Sequence, residues 1–496
     1  MIHLMSEAAT ADMEPCELCI IGAGIAGLNA LFVATQYFGP MDRVILVDAK
    51  NAPGGMWNEV YDYARLHQPH PSFTVGDMAW DWSRPNHYLS TGREVAAHLG
   101  RCYASLRERV DLRERFAHTV TRCEEVKEAD GRTMAHVEHH PNGHPDRVRT
   151  IRAKWVVRAI GFDVPAPRPL PLQSARVIST TPQRLRADGV FDSDAPVYIV
   201  GGGKTGLDTA LALVSRRSRR RVTLLNGSGT VFADRDLLAP RGRRRWWSGR
   251  LFSTAFRDVA MRFNGTNEDD VFDFFRRTMC VSLDPSDQQF FFGIMSQAER
   301  DALDRGLDQI VNDYLDGVVD AQRGTRLLLR GGGSLPVSEG SVFVNCTGHL
   351  MRHRHPYEPF LSPEGAVLSI TPRSMTHFLT SMAGYLLPHL FFSGRLRDAG
   401  LYALDGEEMR RRGGRLYHTA LVSLTFLNTI LAHEALPVRV MSRCGLDLDR
   451  LYPLPRRLLG FIDVKRNGAR YVDHCRTALD RVQAETGVRC GRLEAA

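Results

Sequence analysis

Lysine is nearly missing from this chain: only five of its 64 basic residues are lysine, and the rest are arginine. Arginine stays charged at any physiological pH and grips phosphate with paired N–H groups. The net charge of +8 therefore suits nucleic acid, an anionic membrane or phosphate-bearing cofactors, without choosing among them. Cysteine is sparse, odd in number at nine, and without framework spacing. That excludes a disulfide-stapled scaffold and sets free thiols in a reducing cytoplasm as the expectation. No uncharged apolar run reaches the ~18 residues of a membrane span. The most apolar stretch, Leu416 to Val438, contains His418, His433 and Glu434. Residues Met1 to Glu14 carry Glu7, Asp12 and Glu14 and no cationic start, so they do not read as a signal peptide. What remains is a folded-protein composition over 496 residues, 43% hydrophobic and 24% charged, enough for about three domains.

The first informative segment is CELCIIGAGIAG, Cys16 to Gly27. An apolar strand runs into Gly22, Gly24 and Gly27, a helix-like stretch follows, and a second strand (Arg43 to Asp48) ends in an acid. Glycines in that context allow a tight turn and bring backbone against a pyrophosphate, which then meets the free N–H groups of a helix start. Asp48 stands where a ribose diol is held. The pattern recurs at Val197 to Val200, Gly201, Gly203, Lys204, Thr205 and Gly206, followed by a helix and the strand Val222 to Leu225. This second strand ends at Asn226, not at an acid. A carboxylate there repels a 2′-phosphate, so its absence favours NADP over NAD. Arg216, Arg217, Arg235 and Arg241 lie close by in sequence. Lys204 reads either as a phosphate contact or as a solvated helix-start residue.

Two such units with different strand ends imply two dinucleotides, and the common pairing is FAD with NADPH in an inserted domain. Return strands are then expected, and Lys154 to Gly161 and Ser341 to Gly348 fit, each closing on glycine. From 251 to 320 the apolar spacing turns helical. This predicts a helical insertion that covers an active site or forms a packing or dimer surface.

The stretch Gly54-Gly55-Met56-Trp57 resembles the GG-x-W element of class B flavin monooxygenases, and Tyr61 to Pro69 (YDYARLHQP) resembles the Y-x-x-x-R-L-H-x-P segment of their YUCCA-like branch. Leu390 to Arg395 (LFFSGR) resembles the strand and glycine, Gly394, that return to the flavin. The resemblance covers roughly residues 17 to 405. The F-x-G-x-x-x-H signature expected before the second glycine loop is missing; ISTTPQR, Ile178 to Arg184, stands there.

The resemblance implies an α/β fold of two Rossmann-like dinucleotide-binding domains. An FAD domain (1–170 and 345–410) would hold an inserted NADPH domain (171–344, with the helical insertion at 251–320), and 411–496 would form a C-terminal helical extension. It implies that NADPH reduces FAD, that O2 then gives a C4a-(hydro)peroxyflavin, and that one oxygen atom passes to a small molecule. Amine N-hydroxylation, sulfur oxidation and Baeyer–Villiger insertion are left level, and a reductase or oxidase without oxygen insertion is the alternative. Near the flavin the resemblance points to Trp57, Arg65, His67 and Gln68, with Val120 lending backbone to the adenine; packing of the loop under the flavin is the competing reading for the first four. The pocket is expected between the insertion, the Gly54–Pro71 loop and the helices beyond 400.

Other patterns carry less. Cys16-x-x-Cys19 sits in or beside the first apolar strand, too far from a flavin for thiol exchange. His136 to His140 precede a turn, and His353 and His355 alternate with arginines, so neither reads as a metal site. The runs RRSRRR (Arg216 to Arg221) and RGRRRWW (Arg241 to Trp247) look like nucleic-acid patches. The first is better read as the cationic end of a helix, and the second as neighbour to the NADPH phosphate.

Overall fold

The computed structural model describes residues 13–162, 167–216, 220–348 and 357–493. Arg217, His353 and His355 lie outside them. Two parallel sheets organise the chain. In the first, β1 (Met13–Ile21), α1 (Ile25–Ala34), β2 (Arg43–Asp48), α2 (Gly92–Leu106) and β3 (Asp111–Phe116) follow one another. β4 (His118–Lys127), β5 (Thr133–Pro141) and β6 (Arg149–Arg158) complete it in the order β3-β2-β1-β6-β5-β4, with β5 antiparallel to both β4 and β6 and the other pairs parallel. The short strand Val367–Ser369 returns to pair with β6. Residues 18–21 of β1 and 44–47 of β2 are continuous, buried apolar runs, as strands covered on both faces must be.

The second sheet holds β7 (Ile178–Thr180), β8 (Val197–Val200) and β9 (Val222–Leu225), joined by Gln309–Val311 beside β9 and by Val342–Asn345 between β8 and β7. Helix α3 (Lys204–Val214) follows β8. Strand β10 (Thr230–Asp234) starts a smaller sheet that pairs in parallel with Gln289–Met295.

The stretch 251–320 is only partly the helical insertion expected. Helices α4 (Phe252–Ala260) and α5 (Glu268–Met279) are inserted, but Gln289–Met295 and Gln309–Val311 are strands and α6 (Gln297–Gly306) packs against α3. A run such as QFFFGIM is apolar throughout, and periodicity cannot separate a buried strand from a buried helix.

A second correction concerns Leu390 to Arg395. These residues do not form a strand: Leu390, Phe391 and Phe392 end helix α7 (Thr380–Phe392), and Gly394 lies just past it at φ +69°. α7 packs along α1, where Gly384 abuts Ala26; a Cβ there would sit 2.4 Å from the Ala26 carbonyl oxygen. The end of α7 nearest α1's glycine turn is therefore its start, not Gly394.

Beyond residue 400, α8 (Gly414–Ala435) and α9 (Leu454–Thr486) dominate, with the strand Cys490–Arg492 paired to Tyr402–Leu404. α8 is buried along most of its length and belongs to the main core rather than to an appendage. No helix among the described residues is long and apolar enough to cross a membrane.

Candidate active site

Each glycine turn sits between a strand and a helix start. Gly22 has φ +105°, and a Cβ on it would strike the Ala159 carbonyl; one on Gly27 would lie 1.8 Å from the Gly22 carbonyl oxygen. The second turn repeats this geometry. Gly201 has φ +118° and faces the Cys346 carbonyl, and a Cβ on Gly206 would lie 1.9 Å from the Gly201 oxygen. Only hydrogen fits, so backbone N–H groups at the starts of α1 and α3 stay open to an anion. The return strands touch these turns through Ala159 and Cys346. Gly161 (φ +66°) and Gly348, two residues further on, have nothing within 4 Å of a built Cβ.

Gly24 caps α1 and Gly203 caps α3. The GG-x-W loop closes on the first turn: Gly54 N donates to Ala23 O at 2.9 Å, and a Cβ on Gly55 would come 2.9 Å from Gly24 Cα. Trp57 stands edge-on to Phe73 at 5.5 Å. Asp48, at the end of β2, accepts from Ala23 N at 2.5 Å and Lys50 N at 2.7 Å. Val120 pairs with His139 in the β4–β5 ladder; it is Ala117 whose N–H reaches the Lys50 carbonyl beyond β2, at 2.8 Å.

The segment from Tyr61 to Gln68 reaches from the first unit to the second. Tyr61 Oη donates to Asp208 Oδ2 at 3.0 Å, and Tyr63 Oη meets Thr209 Oγ1 at 2.8 Å. Lys204 Nζ is bonded to the same Asp208, one turn along α3. The Thr205 carbonyl takes the Thr209 hydroxyl at 2.8 Å. Arg235 is buried: it donates to His67 O at 2.7 Å, Glu299 Oε2 at 2.8 Å and Ile294 O at 3.2 Å. It clasps the loop rather than a nucleotide. Arg65 is exposed and donates to the Leu89 carbonyl at 2.9 Å, outside the pocket.

His67 and Gln68 do reach a pocket. They line a narrow cleft, partly open to solvent, with Phe252 and Phe256 of α4, Phe272 and Phe275 of α5, and His418 of α8. The insertion, the Tyr61–Gln68 loop and the post-400 helices thus meet there. Burial, with Lys204 and Arg235 nearby, holds the His67 imidazole well below its usual pKa. Burial pushes His418 down to about 3. Both are neutral at pH 7. Among the described lining residues there is no carboxylate, and the one permanent charge, Arg415, is engaged by Asp269 at 2.6 Å and Gln288 at 2.5 Å.

Asn226 is not the open strand end expected. It is buried, and its Nδ2 donates to Asp287 Oδ1 at 2.9 Å and Asn312 Oδ1 at 3.0 Å. The fold brings to the end of β9 a carboxylate that lies 61 residues away in sequence. Arg216 sits on the Phe191 ring at 3.7 Å, and Arg241 is exposed; neither contacts Asn226. Asn226 thus has beside it a carboxylate that its own strand does not carry. Sequence reading also missed Gly384, Asp287 and Phe378, which lines the cleft, because a close helix crossing, a loop return and a lone wall residue leave no local motif.

Comparison with known proteins follows this geometry. Residues 16–238 match the family model described as pyridine nucleotide-disulphide oxidoreductase. A curated relative, an uncharacterized protein of Mycobacterium tuberculosis, is 25% identical over 350 residues, 66% of this chain and 59% of the relative; the chain thus spans well under two thirds of that relative's length. Among solved structures, an oxidized steroid monooxygenase bound to NADP is similar at TM-score 0.53 and 16% identity, over 85% of this chain and 98% of the other. A cyclohexanone-bound cyclohexanone monooxygenase is similar at TM-score 0.52 and 12% identity, over 85% and 98%.

Proposed function

We propose that this chain, which has the fold of the steroid and cyclohexanone monooxygenases, is an NADPH-dependent FAD monooxygenase acting on a neutral, apolar small molecule. The observation that carries the reading is the phenylalanine-walled cleft floored by His67 and Gln68, on a loop that bridges the two glycine turns. FAD fits the first turn: Gly22, Gly24 and Gly27 leave room for its pyrophosphate at the start of α1, and Asp48 faces the ribose position. NADPH fits the second, at Gly201, Gly203 and Gly206. When bound, FAD supplies two-electron transfer and the reaction with O2.

The chain's own residues bind, orient and keep water out. Neutral His67 and Gln68 offer hydrogen bonds without a charge, and the aromatic walls replace water around the reacting atoms. A cationic amine entering this cleft would lose its hydration and meet no anion, an unfavourable exchange. A sulfide or ketone loses nothing comparable. Sulfur oxidation or Baeyer–Villiger insertion is therefore favoured over amine N-hydroxylation.

The disulfide chemistry in the family model's description has no support in the thiols. Cys16 and Cys19 are buried in β1, and burial pushes Cys16 up to about 12 and raises Cys19 well above its ordinary range; such thiols do not exchange.

The test is oxygen uptake with product analysis on the FAD-loaded protein. Neutral aryl sulfides and cyclic ketones should give oxygenated product in step with NADPH consumed, while alkylammonium substrates give none. NADPH oxidation that yields only hydrogen peroxide with every substrate would replace this reading with that of an oxidase.

A further inference from the structure

One surface of the molecule is built against the usual rule. Trp246 and Trp247 are 54% and 72% exposed, and Leu454, Leu458, Leu459, Phe461 and Ile462 are 60%, 48%, 69%, 48% and 42% exposed. The two tryptophans belong to the loop after β10, and the other five to the first turns of α9. Arg456 joins the groups by donating to the carbonyls of Arg245 (3.1 Å), Ser248 (2.5 Å) and Gly249 (2.9 Å). Leu454, Leu458, Phe461 and Ile462 recur at i, i+4, i+7 and i+8 and so form one exposed apolar stripe on α9, with the tryptophan loop tied to the same helix end by Arg456, a surface of a kind that soluble proteins rarely leave bare.

Cations rim it. Arg241, Arg243, Arg244, Lys465 and Arg466 are exposed, and none forms an ion pair among the described residues. The only acid in the first three turns of α9, Asp463, is turned inward to Arg257 at 2.8 Å. We propose that this face docks peripherally on an anionic lipid surface. The leucines, Phe461 and Ile462 would enter the headgroup boundary, tryptophans would sit at its polar edge, and arginines would meet lipid phosphates.

Charge selects this occupant. A second copy on the same face would set the arginine rim against itself, with no facing acids to neutralise it. Nucleic acid would use the arginines and tryptophans but leave Leu458, Leu459 and Ile462 wet. Position agrees as well. α4 lies between this face and the cleft: Ser253 lies beside Gly460 of α9, while Phe252 and Phe256 line the cleft. Docking would bring the cleft beside the lipid.

The test is co-sedimentation of the FAD-loaded protein with vesicles of phosphatidylglycerol and phosphatidylcholine, against phosphatidylcholine alone, at low and high salt. Binding should require the anionic lipid, weaken with salt, and shift tryptophan emission to the blue. Trp246→Ser/Trp247→Ser should lower partitioning roughly tenfold, and Arg243→Gln/Arg244→Gln should remove most of the salt dependence. Unchanged circular dichroism checks that the variants fold. Equal partitioning of wild type and both variants, or no partitioning at low salt, would overturn the proposal. So would a dimer in sedimentation velocity that Leu459→Ser dissociates, or DNA binding lost in the arginine variant without any vesicle binding.

Discussion

A carboxylate 2.9 Å from the Asn226 amide acts on any anion brought to the end of β9. The expected consequence concerns coenzyme choice. Asp287→Asn keeps an acceptor for Asn226 and removes the charge, so kcat/KM for NADPH should rise relative to NADH by about tenfold; an unchanged ratio would place the 2′-phosphate elsewhere. His418 makes a different prediction, about stability. Burial lowers its folded pKa to about 3, against 6.5 ordinarily. Between those values the unfolded chain holds a proton there and the folded protein does not. Unfolding then takes up protons, and stability falls as pH drops through the window. His418→Phe removes that dependence, flattening the stability-against-pH slope below pH 6.5 by about 1.4 kcal/mol per pH unit. Denaturant titrations at several pH values measure it.

Helix α7 shows how an element can be positioned by the smallest side chain. Its apolar run, TSMAGYLLPHLFF, is buried on nearly every face. Gly384 lets it approach α1 so closely that a methyl group would lie 2.4 Å from the Ala26 carbonyl oxygen. Both partners are backbone-anchored, so relief requires the helices to part. Gly384→Ala should destabilise the protein by about 1–3 kcal/mol, despite alanine's better helix propensity, and should weaken FAD retention because α1 carries the glycine turn. Thermal unfolding and flavin content of the purified variant read both effects. α4 and α5 depend less on any single contact, because their phenylalanines share the cleft wall.

Across the whole molecule, the two units meet through the Tyr61–Gln68 loop, and Arg235 is the buried bond that holds it. Its side chain is 6% exposed and binds Glu299 and two carbonyls. Arg235→Met strands Glu299 and frees the His67 carbonyl. Losing one member of a buried pair typically costs about 3–5 kcal/mol. The variant should also spill electrons, with more NADPH consumed per product formed, since His67 no longer floors the cleft. Arg235→Met/Glu299→Gln should regain part of the stability but not the coupling. Comparing urea unfolding with the ratio of NADPH oxidised to product separates the two effects.

The glycine turns were legible in the sequence because their requirement is local: a strand, a positive-φ residue and a helix start occupy a dozen consecutive positions. Gly22 to Gly27 and Gly201 to Gly206 could be read without any distant residue, and so could the loop carrying Trp57 and His67. Tertiary structure alone decided the rest. Gly394 was misplaced because an apolar run of few residues suits strand or helix equally, and only packing on α1 selects the helix. Arg235 carries the right charge for phosphate, yet Glu299, arriving from α6, takes that charge first. Asp287 reaches Asn226 only after the chain has made α4 and α5 and returned. Local sequence thus determined which backbone turns form, since sterics act between neighbours. Long-range folding determined which charges face a ligand, since an ion pair depends on distance in space and not along the chain.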